Sequence, residues 1–157
     1  MRSFAASVVA VAAISLLLVG AAMPGTVAAQ PTTKAQFAKQ MNSVCVRTNA
    51  SANAIGKEQT MAQVASRGPR FVALLQGFLN QLGTLRPPTV IKPHFSRFVS
   101  VIKQQLGLFK PVVAAATSNN VAAFQKAAAA VGYETQSEQA AIGFEAKAIG
   151  APACASA

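Results

Sequence analysis

The sequence predicts an all-α fold, namely an up-down-up-down four-helix bundle with one disulfide. Four segments carry apolar residues at the spacing of a single helix face. Proline, glycine or asparagine residues separate each of these segments from the next. No segment alternates apolar and polar residues as a half-buried strand does, and no Asn-Gly or Asp-Gly hairpin turn occurs. Four helices joined by short connections pack as antiparallel neighbours, which gives the bundle.

The first 29 residues have the features of a signal peptide. Arg2 provides a positive start, an uncharged apolar run covers 4–22, and small residues at 27–29 suit a signal peptidase. A run of this length could also remain as a membrane anchor. The small-residue site after a Pro-Gly break favours cleavage. We therefore expect a secreted or extracytoplasmic cell-envelope protein whose single domain covers 30–157.

The first predicted helix starts at Thr33 and ends before Gly56. Thr33 and Gln36 have the spacing of a capping box, and a glycine commonly follows the last turn of a helix. Cys45 lies at the edge of the core-facing stripe. The positions that form this stripe are Phe37, Met41, Val44, Thr48, Ala52 and Ile55.

Cys45 and Cys154 are the only two cysteines in the chain. In an exported protein a pair of cysteines is normally oxidised. In the predicted topology the chain leaves helix four beside the start of helix one, so a short return brings Cys154 toward Cys45. We predict a Cys45–Cys154 disulfide, with a small buried thiol at Cys45 as the alternative.

The second predicted helix covers 59–85 and contains Pro69. Proline inside a helix either kinks it or marks the start of a new helix. The apolar positions keep one phase across Pro69, which favours a kink. The Pro87-Pro88 pair ends the helix. The core-facing positions are Met61, Val64, Phe71, Leu74, Leu75, Phe78, Leu82 and Leu85.

The third predicted helix has Pro93 in its first turn, and Pro111 should bend it near its end. Its core face consists of Phe95, Phe98, Val99, Ile102, Leu106, Phe109 and Val113. The fourth helix follows a turn at 118–120 and ends at Gly150. Phe144 and Tyr133 point away from its stripe. The residues of that stripe are Phe124, Ala128, Val131, Thr135, Ile142 and Ile149.

Four short motifs give the chain a resemblance to small exported actinobacterial helical-bundle proteins of unassigned activity. The motifs are FAKQMNSVC at 37–45, LGTLRPP at 82–88, FSRFVSVI at 95–102 and GAPAC at 150–154. They span nearly the whole predicted domain and belong to its scaffold. The resemblance implies the helical fold and the disulfide, and it implies no catalytic residue.

The residue types present argue against several enzyme classes. The chain has no aspartate, one histidine and four glutamates, so a di-metal carboxylate bundle or a zinc site lacks ligands. A serine hydrolase would need a glutamate as its acid, and we expect Glu134, Glu138 and Glu145 to have only solvent-facing partners. Haem ligation by Met41 and His94 is disfavoured, because we expect a core methionine and a surface histidine. We therefore expect no enzyme, no metal and no cofactor.

Positive charge is concentrated in one part of the sequence. Between Lys34 and Lys110 there are 11 basic residues against Glu58 alone, and the net charge of the chain is +10. A basic face suits anionic envelope polymers or lipid headgroups. Nucleic-acid recognition is not expected, because the charges are dispersed and no aromatic residues are interleaved with them. A solvated face that only keeps the protein in solution is an equal alternative. The residues assigned to anionic-surface binding are Lys92, Arg97, Lys103 and Lys110.

Two functions remain open from the sequence. The first is a non-enzymatic envelope or extracellular protein with a binding or structural role. The second is a carrier that holds a small apolar ligand within the bundle, among the phenylalanines of helices two and three.

Overall fold

The computed structural model describes residues 33–57 and 60–155, apart from the side chains of 133–136. The predicted signal peptide at 1–29 lies outside the described residues. Across the described ranges the chain is helical and contains no strand. The prediction of an all-α bundle is confirmed. The four α-helices are α1 (Lys34–Ile55), α2 (Met61–Thr84), α3 (Lys92–Thr117) and α4 (Val121–Ile149).

Two short 3₁₀ turns complete the fold. Thr89–Ile91 leads directly into α3, and Pro152–Cys154, which we call the tail turn, follows α4. Consecutive helices pack against one another in chain order, and the tail turn packs on α1. None of the helices in the described ranges combines the length and the hydropathy of a membrane span.

Helix ends are set by local hydrogen bonds that the sequence signals. The Thr33 hydroxyl accepts from the Gln36 amide, and the Gln36 side chain accepts from the Thr33 amide at 2.9 Å. This confirms the predicted capping box. Thr60 and Gln63 form a second capping box at the start of α2. Gly56 adopts a φ of 84° after α1, a conformation that favours glycine.

The second helix is one continuous helix that contains Pro69. The interpretation as a single helix is therefore confirmed. Pro111 is likewise inside α3 and does not end it. Gly68 marks a close approach of these two helices, because a Cβ at this position would lie 2.7 Å from a Val113 methyl group.

The packed interior consists of two clusters of unequal size. The larger cluster, which we call the disulfide half, lies at the end that holds the two cysteines. The smaller cluster, which we call the open half, lies toward the α1–α2 and α3–α4 connections. The disulfide half includes Phe37, Met41, Cys45, Phe78, Leu82, Phe95, Phe98, Ile102, Ile142, Ile149 and Cys154. The buried residues of the open half are Val64, Val112, Val113 and Ala116.

The tail turn is fixed to α1 by one covalent bond and by side-chain hydrogen bonds. Cys45 and Cys154 form the predicted disulfide, with their Cα atoms 5.1 Å apart. The side-chain oxygen Oδ1 of Asn42 accepts from the Ala153 amide at 2.9 Å, and the side-chain Nδ2 of Asn49 donates to the Ala153 carbonyl at 3.0 Å. These two asparagines flank Cys45 at helical spacing, so one face of α1 holds the whole turn.

Candidate functional site

A cavity lies in the middle of the bundle, between the two clusters. Its volume is about 240 Å³, and residues from all four helices line it. The wall is mainly aliphatic and aromatic, with a few amide, hydroxyl and carboxyl groups. The exposed residue Gln139 also lines it, so the cavity is partly open to the surface. The residues that line it include Thr48, Ala52, Phe71, Gln105, Phe109, Val131 and Glu138.

A more open groove of about 850 Å³ adjoins the cavity toward the α1–α2 connection. The groove and the cavity share four lining residues, so these side chains stand between them. Two of the four are the rings of Phe71 and Phe109, whose centroids are 5.1 Å apart. The other two are Ala52 and Val131. The cavity therefore adjoins a groove that is open at one end of the bundle. Apolar side chains form the boundary between the two.

Small side chains explain why the open half is not filled. Ala52 on α1 and Ala128 on α4 line the groove, where a larger residue would occupy the space. Phe71, Phe109 and Phe124 line this region as well, and all three are only half-buried. The phenylalanines of α2 and α3 do line the site, as the carrier hypothesis expects. The sequence did not predict the contribution of α1 and α4.

Glu138 is the main correction to the predicted site. We expected its carboxyl group to face solvent, but the residue is only 6% exposed and lines the cavity. The physical reason is its position on the helix, since Glu138 lies seven residues after Val131 and four before Ile142. Both spacings place it on the core-facing stripe of α4. This spacing is the feature of the sequence that could have predicted the burial of Glu138.

Glu145 is a second buried carboxylate that was predicted to face solvent. It is 6% exposed, and its Oε2 is hydrogen-bonded to His94 Nδ1 at 2.7 Å. His94 is therefore a partly buried partner of Glu145, and its ring lies beside the exposed ring of Phe144. Met41 is fully buried in the disulfide half, as expected of a core methionine. The prediction that Phe144 points away from the core is confirmed.

The basic residues assigned to anionic-surface binding are all exposed along α3. Lys92, Lys103 and Lys110 lie on one line of the helix because their spacings are close to whole turns. Arg97 points elsewhere, and its Nη1 is 3.8 Å from Glu145 Oε1. Its charge is thus partly compensated, whereas the three lysines are spread along one exposed line of α3.

No three histidine, cysteine, aspartate or glutamate side chains cluster as metal ligands in the described part of the chain. Comparisons of the chain with protein-family models, curated proteins and solved structures found no match. The resemblance to small exported actinobacterial proteins stays a prediction from the sequence. Any argument about function therefore depends on the cavity and on the charged surface.

Proposed function

We propose that this protein is an extracytoplasmic, non-enzymatic binding protein that carries a small, mainly apolar molecule between its helices. The observation that carries this proposal is the cavity of about 240 Å³ with its adjoining groove. A dry cavity of about 150 Å³ is enough to bind benzene in a protein core. A purely structural bundle gains stability when its interior is filled, so the unfilled space favours a binding role.

Export is the other part of the proposal. The disulfide between Cys45 and Cys154 is typical of oxidising compartments. The apolar leader at 1–29 has the composition of a signal peptide. Both features agree with a protein that binds its ligand outside the cytoplasm.

The test is a titration with N-phenyl-1-naphthylamine, a neutral apolar dye whose fluorescence rises in a dry site. We expect saturable binding of one dye molecule per chain. Ala52→Phe should abolish it, because Ala52 lines both the cavity and the groove. Ala54→Phe is the matched control, since Ala54 is exposed on the same helix. Absence of saturable binding, or equal binding by both variants, would contradict the proposal.

A second proposed function is weak attachment to anionic envelope polymers or lipid headgroups. The observation that favours it is the exposed line of Lys92, Lys103 and Lys110 on α3. Exposed charges are screened within about 8 Å at physiological ionic strength, so this binding should fall steeply with added salt. The proposal is wrong if binding is absent at low salt.

Sedimentation with phosphatidylglycerol vesicles measures this attachment. Replacing the three lysines by glutamine should weaken binding more than an equal change of charge at other exposed lysines. The matched control is therefore a triple variant of the same net charge. It carries Lys34→Gln, Lys39→Gln and Lys126→Gln. Equal losses in the two variants would show that only net charge matters.

A further inference from the structure

The rim of the groove carries positive charge beside an apolar wall. Lys57 lines the groove where α1 connects to α2, and this residue is exposed. Arg67 on α2 reaches the same place, because its Nη1 donates to the Lys57 carbonyl oxygen at 3.3 Å. Gly56 also lines the groove, and a Cβ at this position would lie 3.2 Å from the same Nη1 atom. The guanidinium group of Arg67 therefore lies at the rim of the groove, beside Lys57.

The charge of the chain around this rim is positive on balance. Segment 56–70 contains three basic residues and one acidic residue, Glu58, so its net charge is +2 with Glu58 counted. The whole chain has 14 basic residues against four acidic ones. A potential of this sign raises the concentration of anions near the surface. The rim therefore favours a ligand that carries negative charge.

We propose that the molecule carried in the groove is a fatty acid whose carboxylate head pairs with Lys57 and Arg67. This inference rests on the proposed function and names the chemical class of its ligand. A guanidinium group has several hydrogen-bond donors in a planar fork, and the Lys57 carbonyl oxygen accepts from one of its nitrogen atoms. Its other donors and the lysine ammonium group match the two oxygens of a carboxylate.

The wall of the groove places the hydrocarbon chain of the ligand. Val64 and Phe124 line the groove, and the rings of Phe71 and Phe109 stand at its boundary with the cavity. A carboxylate at the rim therefore lets the chain lie on apolar side chains and extend past the two rings toward the cavity. The charged head stays at the open end, in contact with water, so binding does not require the burial of a bare charge.

A cationic amphiphile is the main competing class, because the carboxyl group of Glu138 lines the cavity. At the rim, however, an ammonium head would meet Lys57 and Arg67, and like charges at short distance repel each other. The net charge of +10 also keeps cations away from the surface. A neutral apolar molecule gains nothing from the charge of the rim. The charge of the head therefore separates the three classes of ligand.

The test compares decanoate, 1-decanol and n-decylamine by isothermal titration calorimetry at neutral pH, below the concentrations at which they aggregate. These probes share one hydrocarbon chain and differ in the charge of the head. We expect decanoate to bind about three- to tenfold more tightly than decanol, as one or two partly exposed ion pairs provide. Decylamine should bind most weakly. Added salt should reduce the preference for decanoate, because it screens the charges of the rim.

The double variant Lys57→Gln, Arg67→Gln should lose the preference for decanoate and keep the affinity for decanol. The matched control is Lys34→Gln, Arg86→Gln, which has the same net charge and changes the other end of the bundle. Arg86 is exposed, and its Nη1 likewise donates to a backbone carbonyl, that of Gly83. The control should keep the preference. Circular dichroism verifies folding, and Lys57→Gln alone, at an exposed position, replaces the double variant if that variant does not fold.

The possible outcomes separate this inference from the proposed function. Equal affinity for decanoate and decanol, or tighter binding of decylamine, would overturn the fatty-acid inference and leave the apolar carrier intact. Equal losses of the preference in the two double variants would also overturn it, because net charge alone would then explain the preference. Unchanged binding of decanoate by Ala52→Phe would place the chain outside the groove and contradict the inference. If none of the three probes and no N-phenyl-1-naphthylamine binds, the carrier function itself is wrong.

Discussion

The two halves of the bundle are built from the same four helices but are packed in different ways. In the disulfide half, aromatic rings fill the interior, with Phe37 against Phe95 at 5.2 Å and Phe78 against Phe98 at 6.4 Å between centroids. In the open half the buried residues are valines and an alanine, and a groove remains. A closely packed, cross-linked end can therefore stabilise a bundle whose other end has an unfilled interior.

Covalent and polar contacts follow the same division. The disulfide and the two asparagine contacts all act on the tail turn, at the filled end. The cavity and the groove lie away from it, where α1 ends at Gly56. A ligand could therefore enter between helix ends that no cross-link holds. Substitutions that change one half at a time test this division.

The largest expected effect follows from Cys154→Ser. A disulfide that closes a loop of 109 residues stabilises by about 4–5 kcal/mol in the chain-entropy account. We expect chemical denaturation to show a loss of that order, with helicity retained, because the four apolar stripes remain. Free thiols in the purified protein, or a loss of helicity on reduction, would contradict this account of the filled end.

A somewhat smaller loss of stability is expected when one phenylalanine of the disulfide half is replaced, and one from the open half provides a direct comparison. Phe98→Ala should reduce the free energy of unfolding by about 3–5 kcal/mol, because it leaves a cavity in a close-packed region. Phe124→Ala should cost about 2 kcal/mol or less, since Phe124 is half-buried and already borders open space. Urea denaturation of the two variants measures both values. Equal losses would show that the two halves are packed alike.

The smallest expected effect concerns the asparagines that hold the tail turn. Asn49→Ala should cost about 1–2 kcal/mol, because it removes a partly buried hydrogen bond to Ala153. Asn53→Ala is a control on the same helix, since Asn53 is exposed beside the groove. Thermal unfolding should separate the two. If Asn49→Ala behaves like the control, the hydrogen bond from Asn49 does not help to fix the turn.

Much of the fold could be predicted from the sequence because helix periodicity and helix ends are local properties. The stripes on α1 and α2, the capping box at Thr33 and the turn before α4 all have local signals. The disulfide followed from compartment and topology. The continuity of α2 across Pro69 could be predicted from the shared phase of its apolar residues.

The site was harder to predict, because it is the space that the apolar stripes of the four helices leave unfilled. Cavity volume results from the packing of side chains on four helices, and a single-helix pattern does not encode it. Glu138 and Glu145 were placed in solvent on the basis of residue type, although their spacing from Ile142 and Ile149 puts them on the buried face. For both glutamates the helical phase indicates the buried position that the structure shows, whereas the residue type indicates an exposed one.

The central claim is that the interior next to the open half binds a small apolar molecule, and nuclear magnetic resonance of the protein with N-phenyl-1-naphthylamine tests it most directly. We predict intermolecular contacts from the rings of the dye to Phe71, Phe109 and Val131, with saturable shifts of their signals. Signals of the disulfide half, such as those of Phe37, should not contact the ligand. Contacts confined to the exterior, or shifts that do not saturate, would contradict the account.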